Sequence, residues 1–225
     1  MRRVHLLFAA LLALPLLGSA PQDLRAFPID VRDFHVLKRD SGPRNYYRVL
    51  SQPPDLFIRA VYSPPLETVT LFAQVPDELR SGARLFRFRW RAHVFPRGGN
   101  ECADGLGDGA ANVYLTWKRG LRWYSVKLVW STDAPVGAVC NVTRNPFVAS
   151  DSIILRSGSP IGVWLEEEVD PAALFRQHFE GGNPRAEVPE LQGIGILTDG
   201  DQTHSVSAAD YADFVFYKEV RRAAR

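Results

Sequence analysis

The sequence contains few of the residues that build metal centres and redox sites. Its 225 residues include two cysteines, one methionine and five histidines, and the two cysteines do not have the close spacing of zinc ligands. The Gly-x-Ser-x-Gly motif of serine hydrolases, the His-Glu-x-x-His motif of zinc proteases and glycine-rich phosphate loops are absent. These absences exclude the catalytic classes that such motifs identify, and no cofactor is expected apart from the calcium considered below.

The sequence also lacks an excess of charge of one sign. Its formal net charge is +2, and loss of Arg2 and Arg3 with an amino-terminal segment would reduce it from +2 to 0. A neutral protein has no overall electrostatic attraction to nucleic acid, so that partner is not expected. The hydrophobic fraction of 46% and the charged fraction of 23% are typical of a globular protein.

The amino terminus has the layout of a signal peptide. Two arginines precede an apolar run at 6–17, which ends in Gly18-Ser19-Ala20. The run is shorter than the roughly 20 apolar residues of a transmembrane helix, although a membrane anchor stays open as an alternative. Pro21 disfavours cleavage directly after Ala20. We expect a signal peptide at 1–20, one domain at 21–225, a periplasmic or secreted location, and no membrane span after cleavage.

The two cysteines predict a disulfide between Cys102 and Cys140, because an even pair in an oxidising compartment is usually joined. In the chain-entropy description, closing a loop of this length stabilises the fold by about 4 kcal/mol. Two unpaired thiols are the alternative.

Short segments of alternating apolar and polar residues, separated by Pro, Gly, Asn and Asp, predict an antiparallel β protein. At 85–94, Phe86, Phe88 and Trp90 would point to one side, and Arg87 and Arg89 to the other. This period of two indicates one buried face. Further strands are predicted at 34–39, 46–50, 56–62, 68–75, 111–118, 123–131, 152–156, 162–169, 191–198 and 211–218.

One helix is predicted at 172–179, with Asp170 as its cap and Pro171 in its first turn. Many short strands with a single helix predict an all-β fold, a two-layer antiparallel β-sandwich of the jelly-roll type. The core would include Trp90, Trp117 and Trp130, and the segments 96–109 and 183–189 would be surface loops.

The chain resembles the bacterial family called domain of unknown function 3047 over residues 34–217. The resemblance rests on segments in the family's order and spacing: Leu85-Phe86-Arg87-Phe88-Arg89-Trp90-Arg91, the stretch from Gly107 to Leu115, Lys127 to Ser131, Gly162-Val163-Trp164, Asp170, Leu174-Phe175, and Gly193 to Thr203 before Tyr211-Ala212-Asp213-Phe214. It implies an exported β-sandwich similar in outline to galactose-binding-like and carbohydrate-binding modules, with no established activity. The chain departs from the family pattern at Gly107-Asp108-Gly109, where paired acids are common.

A calcium site is one hypothesis for the run Asp199-Gly200-Asp201-Gln202-Thr203. Oxygen side chains at alternate positions of a glycine-containing loop can converge on a hard cation. Further ligands would have to come from other segments, with Asp210 and Asp213 the nearest in sequence. The alternative is a turn in which Asp199 and Asp201 accept backbone N–H hydrogen bonds.

A ligand-binding face is a second hypothesis, built on the polar side of the strand that carries Arg87, Arg89 and Arg91. We expect this side to lie beside Tyr114, Glu166 and Glu168, while Trp123 and Trp164 remain free for ligand. A sugar chain would stack on the rings and hydrogen-bond to the fixed polar groups. Cross-strand ion pairs that need no ligand are the alternative.

These residues predict a non-catalytic exported binding or accessory module of the bacterial envelope, with a polysaccharide or cell-wall glycan as partner. Two alternatives stay open. One is a polysaccharide hydrolase that uses Glu166 or Glu168, since glycoside hydrolysis needs two carboxyl groups. The other is a structural envelope protein that binds another protein.

Overall fold

The computed structural model describes residues 24–36 and 46–219, and the predicted signal peptide at 1–20 lies outside them. These residues form thirteen strands and one α-helix: β1 Leu24–Ile29, β2 His35–Val36, β3 Tyr47–Gln52, β4 Asp55–Tyr62, β5 Leu71–Gln74, β6 Ala83–Val94, β7 Ala111–Arg119, β8 Arg122–Ser131, β9 Val139–Arg144, β10 Val148–Ser157, β11 Leu165–Val169, α1 Pro171–Phe179, β12 Glu190–Leu197 and β13 Ser207–Glu219. Within the described ranges, no helix is long and apolar enough to cross a bilayer.

The strands form two sheets that pack face to face. Sheet A has the order β11-β6-β13-β4-β3, with β1 also paired to β13, and sheet B has the order β2-β5-β12-β7-β8-β10-β9. The predicted two-layer β-sandwich with one helix is confirmed. One detail differs from the fully antiparallel prediction: β10 runs parallel to β8, with Ser152 opposite Lys127.

The core lies between the sheets and is built from the apolar side of each alternating strand. Phe86, Phe88 and Trp90 of β6 are fully buried, as are Trp117 and Trp130 of sheet B, so the predicted core tryptophans are confirmed. The rings of Trp90 and Trp130 meet across the interface with centroids 5.5 Å apart. Burying such a side chain stabilises a fold by about 2–3 kcal/mol, and the same alternation forces the β6 arginines outward.

Helix α1 begins where the sequence indicates. The Asp170 carboxylate accepts hydrogen bonds from the backbone N–H groups of Ala172 at 2.8 Å and Ala173 at 2.9 Å, which caps the first turn. Phe175 is buried against Trp117 and Tyr124, with ring centroids 5.5 and 5.1 Å away. The helix therefore covers one end of the sandwich.

The predicted disulfide is confirmed. Cys102 and Cys140 are joined, with their Cα atoms 5.0 Å apart. Cys102 belongs to the loop between β6 and β7, and Cys140 belongs to β9, the last strand of sheet B. The bond therefore fixes this loop beside the outer face of sheet B.

Some predicted strand positions were wrong. Strands β1 and β9 were not predicted; β9 is an edge strand of mostly exposed residues and so has no buried alternation. In the predicted strand at 34–39, only His35–Val36 forms a strand, and residues 37–39 lie outside the described ranges.

Candidate functional site

The outer side of sheet A carries a dense array of charged side chains, which we call the arginine face. Adjacent strands place these residues in rows, because directly paired residues point to the same side of a sheet. In one row, Arg59 and Arg91 lie on either side of Asp210. The face consists of Arg48, Arg59, Arg87, Arg89, Arg91, Asp55, Asp210, Asp213, Glu166, Glu168, His93, Phe57 and Trp164.

Asp210 is the centre of the first group of ion pairs. Its side chain has no exposed surface. It accepts hydrogen bonds from Arg59 Nε at 2.8 Å and Arg91 Nε at 2.9 Å, and His93 Nε2 lies 2.7 Å from Oδ2. Burial raises the pKa of this carboxyl, but hydrogen bonds from Arg59, His93 and Arg91 outweigh that effect, so the pKa is below its usual value.

A β-bulge brings a second carboxylate to the same face. Where β13 passes β6, Ala212 pairs with Arg89 and Val215 with Arg87, so β13 has one extra residue. Asp213 adopts a positive φ of 52° there, a conformation that Asp tolerates better than most residues. As a result Asp213 reaches Arg89 Nε, while Asp55 accepts from Arg89 Nη2 at 2.7 Å.

Strand β11 supplies the third group of ion pairs. Glu166 and Glu168 both point outward and contact Arg87, with N–O distances of 3.5 and 2.9 Å. Glu167, between them, points inward and accepts hydrogen bonds from Trp90 Nε1 at 3.0 Å and from Arg156. Glu166 and Glu168 therefore share one side of β11 and lie beside the arginines of β6, as expected.

Trp164 lies over the arginines just before β11 begins. Its ring centroid is 4.4 Å from the Arg91 guanidinium carbon and 5.0 Å from that of Arg89, both within the range of cation–π contacts. The rings of Trp164 and Phe57 meet at a steep angle with their centroids 5.7 Å apart, and Phe57 is fully buried although it lies on the outer side of the sheet. Trp164 itself is only half-buried, so part of the ring remains accessible.

The structure brings together only part of the predicted ligand-binding set. Arg87, Arg89, Arg91, Trp164, Glu166 and Glu168 share the arginine face. Tyr114 and Trp123 belong to β7 and β8 of sheet B, so the expectation that Tyr114 lies beside the arginine strand is wrong. Alternation shows which residues share a side of a strand, but it does not show which sheet the strand joins.

A second group of polar side chains lies beside the outer face of sheet B, and we call it the acidic cluster. It consists of Glu101 and Asp108 from the β6–β7 loop, Asn112 of β7, and Asp199 and Asp201 from the loop after β12. Carboxylate oxygens of Asp108, Asp199 and Asp201 lie within 4.8 Å of one another. Glu101, Asp108, Asn112 and Asp199 are buried, and Asp201 is exposed.

Backbone groups hold two of these carboxylates in place. Asp199 Oδ1 accepts from Gly109 N at 2.8 Å, and Asp108 Oδ2 accepts from Thr203 N at 2.7 Å. Burial raises the pKa of Asp199 to about 6, with Asp108 and Glu101 adding to the shift, while Lys127 and the Gly109 N–H oppose it. Burial and Asp108 likewise raise the pKa of Asp201.

Glu101 and Asn112 contribute buried oxygens that accept no hydrogen bond. Both carboxylate oxygens of Glu101 and the Oδ1 of Asn112 lack a hydrogen bond of good geometry, although Lys127 and Ser131 lie near Glu101 and favour its ionised form. The Asn112 amide is oriented by its Nδ2, which donates to Leu197 O at 2.9 Å and approaches Asp199 Oδ1 at 3.3 Å. A Cβ at Gly109 would meet both Glu101 Oε1 and Asn112 Oδ1 at 2.5 Å, so only glycine leaves room for these two oxygens.

Lys127 is the cationic neighbour of the cluster. Burial disfavours its charged form, but Tyr114, Asp199 and Glu101 outweigh that effect and raise its pKa. Burial also raises the pKa of Tyr114, which lies opposite Lys127 on β7. Tyr114 therefore lies near the acidic cluster rather than at the arginine face.

The predicted metal-ligand set is only partly brought together. Asp199 and Asp201 belong to the cluster, and Thr203 contributes its backbone N–H, with its hydroxyl directed at Ser205. The prediction that Asp210 and Asp213 supply further ligands is wrong, because both residues form ion pairs on the opposite sheet. Asp108 could have been found from its position between two glycines, whereas no local pattern marks Glu101 or Asn112.

The chain matches one family model. The family is described as protein of unknown function (DUF3047), and the match covers residues 67–215. The chain belongs to this family, as the sequence resemblance predicts. The DUF3047 segment contains most of the arginine face and the whole acidic cluster. No curated protein matches the chain.

Three solved structures are similar to the chain at low sequence identity. One is the xyloglucanase domain of NopAA from Sinorhizobium fredii, with TM-score 0.44 and 11% identity, covering 89% of this chain and 100% of that one. Another is endoglucanase 3 of family GH12 from Trichoderma harzianum, with TM-score 0.40 and 10% identity, covering 90% and 100%. The third is the family 11 carbohydrate-binding module of Lic26A-Cel5E from Clostridium thermocellum, with TM-score 0.38 and 7% identity, covering 93% and 94%.

Proposed function

We propose that the protein is a non-catalytic, exported binding module that holds a glycan chain on the arginine face. The observation that supports this proposal is the half-buried ring of Trp164, which lies over Arg89 and Arg91 among side chains fixed by ion pairs. A sugar ring can pack its C–H groups against an aromatic face and hydrogen-bond its hydroxyls to planar polar groups beside it.

The ion pairs make the face suitable for binding because they fix its side chains in advance. Arg91 is held by Asp210, and Arg89 is held between Asp55 and Asp213. A free arginine loses rotamer entropy when it binds, at a cost of about 0.5–1.5 kcal/mol for each immobilised side chain. On this face the ion pairs already order the arginines in the folded protein, so little further rotamer entropy is lost when a ligand binds.

The charge of the face favours a neutral, hydroxyl-rich ligand. Five arginines and five carboxylates lie on it, so their formal charges cancel. A polyanion would meet the carboxylates of Asp213, Glu166 and Glu168, which are about half exposed. The hydroxyl groups of a neutral glycan can accept from guanidinium groups and donate to carboxylates.

The arrangement of Glu166 and Glu168 supports binding rather than hydrolysis. A general acid in glycoside hydrolysis is usually a carboxyl held in an apolar pocket. These two side chains are 55% and 48% exposed, and both are paired with Arg87. If the protein hydrolysed polysaccharide through them, Glu168→Gln would abolish the release of reducing ends from the substrate.

Affinity electrophoresis in gels containing soluble β-glucans, xyloglucan or cell-wall glycan fragments tests the proposal. We expect mature protein to be retarded by at least one glycan, and Trp164→Ala to lose at least tenfold in affinity. Trp123→Ala is the matched control, since it removes an exposed tryptophan from the opposite sheet. Equal loss in both variants, or no retardation by any glycan, would overturn the proposal.

A further inference from the structure

The acidic cluster carries more negative charge than its surroundings compensate. Glu101, Asp108, Asp199 and Asp201 are four carboxyl groups, and Lys127 is the cationic side chain that acts on Glu101 and Asp199. If all are ionised, four negative charges and one positive charge leave three negative charges in a largely buried volume. Carboxylates this close repel one another strongly unless a cation or protons lie between them.

The unpartnered oxygens of Glu101 and Asn112 are an independent sign that this volume favours a positive charge. Buried polar atoms nearly always have a hydrogen-bond partner, and one left without it costs about 1–3 kcal/mol. Glu101 is only 1% exposed and Asn112 is fully buried, yet three of their oxygens accept nothing. Acceptors that face one another without a donor require a cation or a proton.

Backbone contacts arrange these oxygens around Gly109. Its N–H donates to Asp199, and the space where its Cβ would be is occupied by Glu101 Oε1 and Asn112 Oδ1. Asn112 lies between Gly109 and Asp199, because its Nδ2 approaches Asp199 Oδ1 at 3.3 Å while its Oδ1 lies beside the space at Gly109. The oxygens thus come from three segments: the β6–β7 loop, strand β7 and the loop after β12.

We propose that the acidic cluster binds one divalent cation of the calcium class through carboxylate oxygens of Asp108, Asp199 and Asp201, which lie within 4.8 Å of one another, while Glu101 and the amide oxygen of Asn112 add negative charge and a dipole beside them. The donor set consists of oxygen alone, which suits a hard cation and disfavours zinc or copper. Calcium accepts six to eight oxygens in flexible geometry, whereas magnesium demands a near-ideal octahedron. Irregular loops that supply most of the ligands therefore favour calcium.

The bound cation would join loops that backbone hydrogen bonds connect only sparsely. Asp108 reaches the loop after β12 through the N–H of Thr203, and Gln202 Oε1 accepts from Gly107 N at 2.8 Å. A cation shared by Asp108, Asp199 and Asp201 would add a strong link between the same loops. Its role is structural, because Glu101, Asp108 and Asp199 have almost no exposed surface for a second ligand.

Calorimetric titration of CaCl2 into EDTA-treated mature protein tests the proposal, together with thermal unfolding. We expect one site, and a rise in Tm of about 5–10 °C at calcium concentrations a hundredfold above Kd. MgCl2 should bind at least tenfold more weakly. Absence of both heat and a Tm shift with either cation would overturn the proposal.

Two variants locate the site. Glu101→Gln should weaken calcium binding at least tenfold while leaving the calcium-free protein folded, because the amide keeps the shape of the carboxyl and removes one of the negative charges that repel one another. Asp201→Asn should weaken calcium binding at least tenfold. Glu78→Gln, an exposed acid outside the cluster, is the matched control and should respond like the unchanged protein.

A full calcium response in both Glu101→Gln and Asp201→Asn would show that calcium binds elsewhere and would overturn the assignment. The alternative explanation is a proton on Glu101 that donates to Asn112 Oδ1, and it predicts no calcium response in the unchanged protein. The proposal is independent of the arginine face, so failure to bind glycans has no bearing on it.

Discussion

Asp210 lies directly opposite Arg91 across the β13–β6 pair and accepts a hydrogen bond from its Nε at 2.9 Å. Asp210 is fully buried, and Arg59 pairs with it from the opposite neighbouring strand. One carboxylate thus joins the three central strands of sheet A on the outer side. The same side chain stabilises the sheet and fixes the positions of two arginines.

Replacing Asp210 with Asn should strongly destabilise the protein. The change leaves two arginines facing a neutral amide, and removal of one partner from a buried ion pair typically costs about 3–5 kcal/mol. The free energy of unfolding in urea measures the loss. Asp213→Asn is the matched control, because Asp213 is half exposed and its pair with Arg89 should contribute less than about 1 kcal/mol. Equal losses would show that Asp210 is not the centre of the network.

Acid should destabilise the protein through Asp151. Burial raises the pKa of this carboxyl, but hydrogen bonds from Arg144 and His178 outweigh burial and bring the pKa below its ordinary value of 3.8. The folded state therefore binds this proton less readily than the unfolded state. The resulting stability is fully present above the unfolded pKa and is lost as the pH falls through the folded pKa.

Denaturant titrations between pH 6 and pH 2.5 check this dependence on Asp151. The unchanged protein should lose stability below about pH 4, and Asp151→Asn should be less stable at pH 6 and show a smaller further loss in acid. Asp210 also has a lowered pKa, so part of the acid dependence should remain in the variant. An identical pH profile in both proteins would contradict the prediction.

Phe175→Ala should cost about 3–5 kcal/mol, because it opens a cavity between α1 and the end of the sandwich. Phe175 has no exposed surface and contacts Trp117, Tyr124 and Phe179. Chemical denaturation measures the change. Leu121→Ala, at a position that is 81% exposed, should stay within about 0.5 kcal/mol of the unchanged protein. A small effect at Phe175 would mean that α1 does not pack on the sheets as described.

Reduction of the disulfide between Cys102 and Cys140 should lower the free energy of unfolding by about 4 kcal/mol, since the bond closes a loop with a sequence separation of 38. Unfolding curves with and without reductant measure this. A Cys102→Ser, Cys140→Ser double variant should match the reduced protein and show no response to reductant. A reductant effect in the double variant would point to a cause other than this bond.

The fold was largely predictable because its strongest signal is local. The alternation of Phe86, Arg87 and Phe88 is determined by the geometry of a single strand, and the cap at Asp170 lies within three residues of the turn that it stabilises. Family membership and the disulfide were also predicted correctly. These inferences need no knowledge of which strands become neighbours.

The sites were less predictable because they depend on contacts between distant segments. Tyr114 alternates as expected, yet it lies in the other sheet from Arg89, and strand order cannot be derived from alternation. Asp108 and Asp199 are far apart in sequence and meet only because two loops converge at one end of sheet B. Asp210 follows the Asp199 loop closely in sequence, but β13 carries it to sheet A.

The contact between Trp90 and Trp130 allows separation of the two sheets to be followed by intrinsic tryptophan fluorescence. One ring belongs to each layer, both are shielded from water, and their centroids are 5.5 Å apart. Separation of the layers would expose both indoles at once and move their emission to longer wavelength. Fraying of an edge strand such as β9 would leave both indoles buried and their emission wavelength unchanged. Fluorescence can therefore distinguish loss of the whole interior from loosening at the periphery.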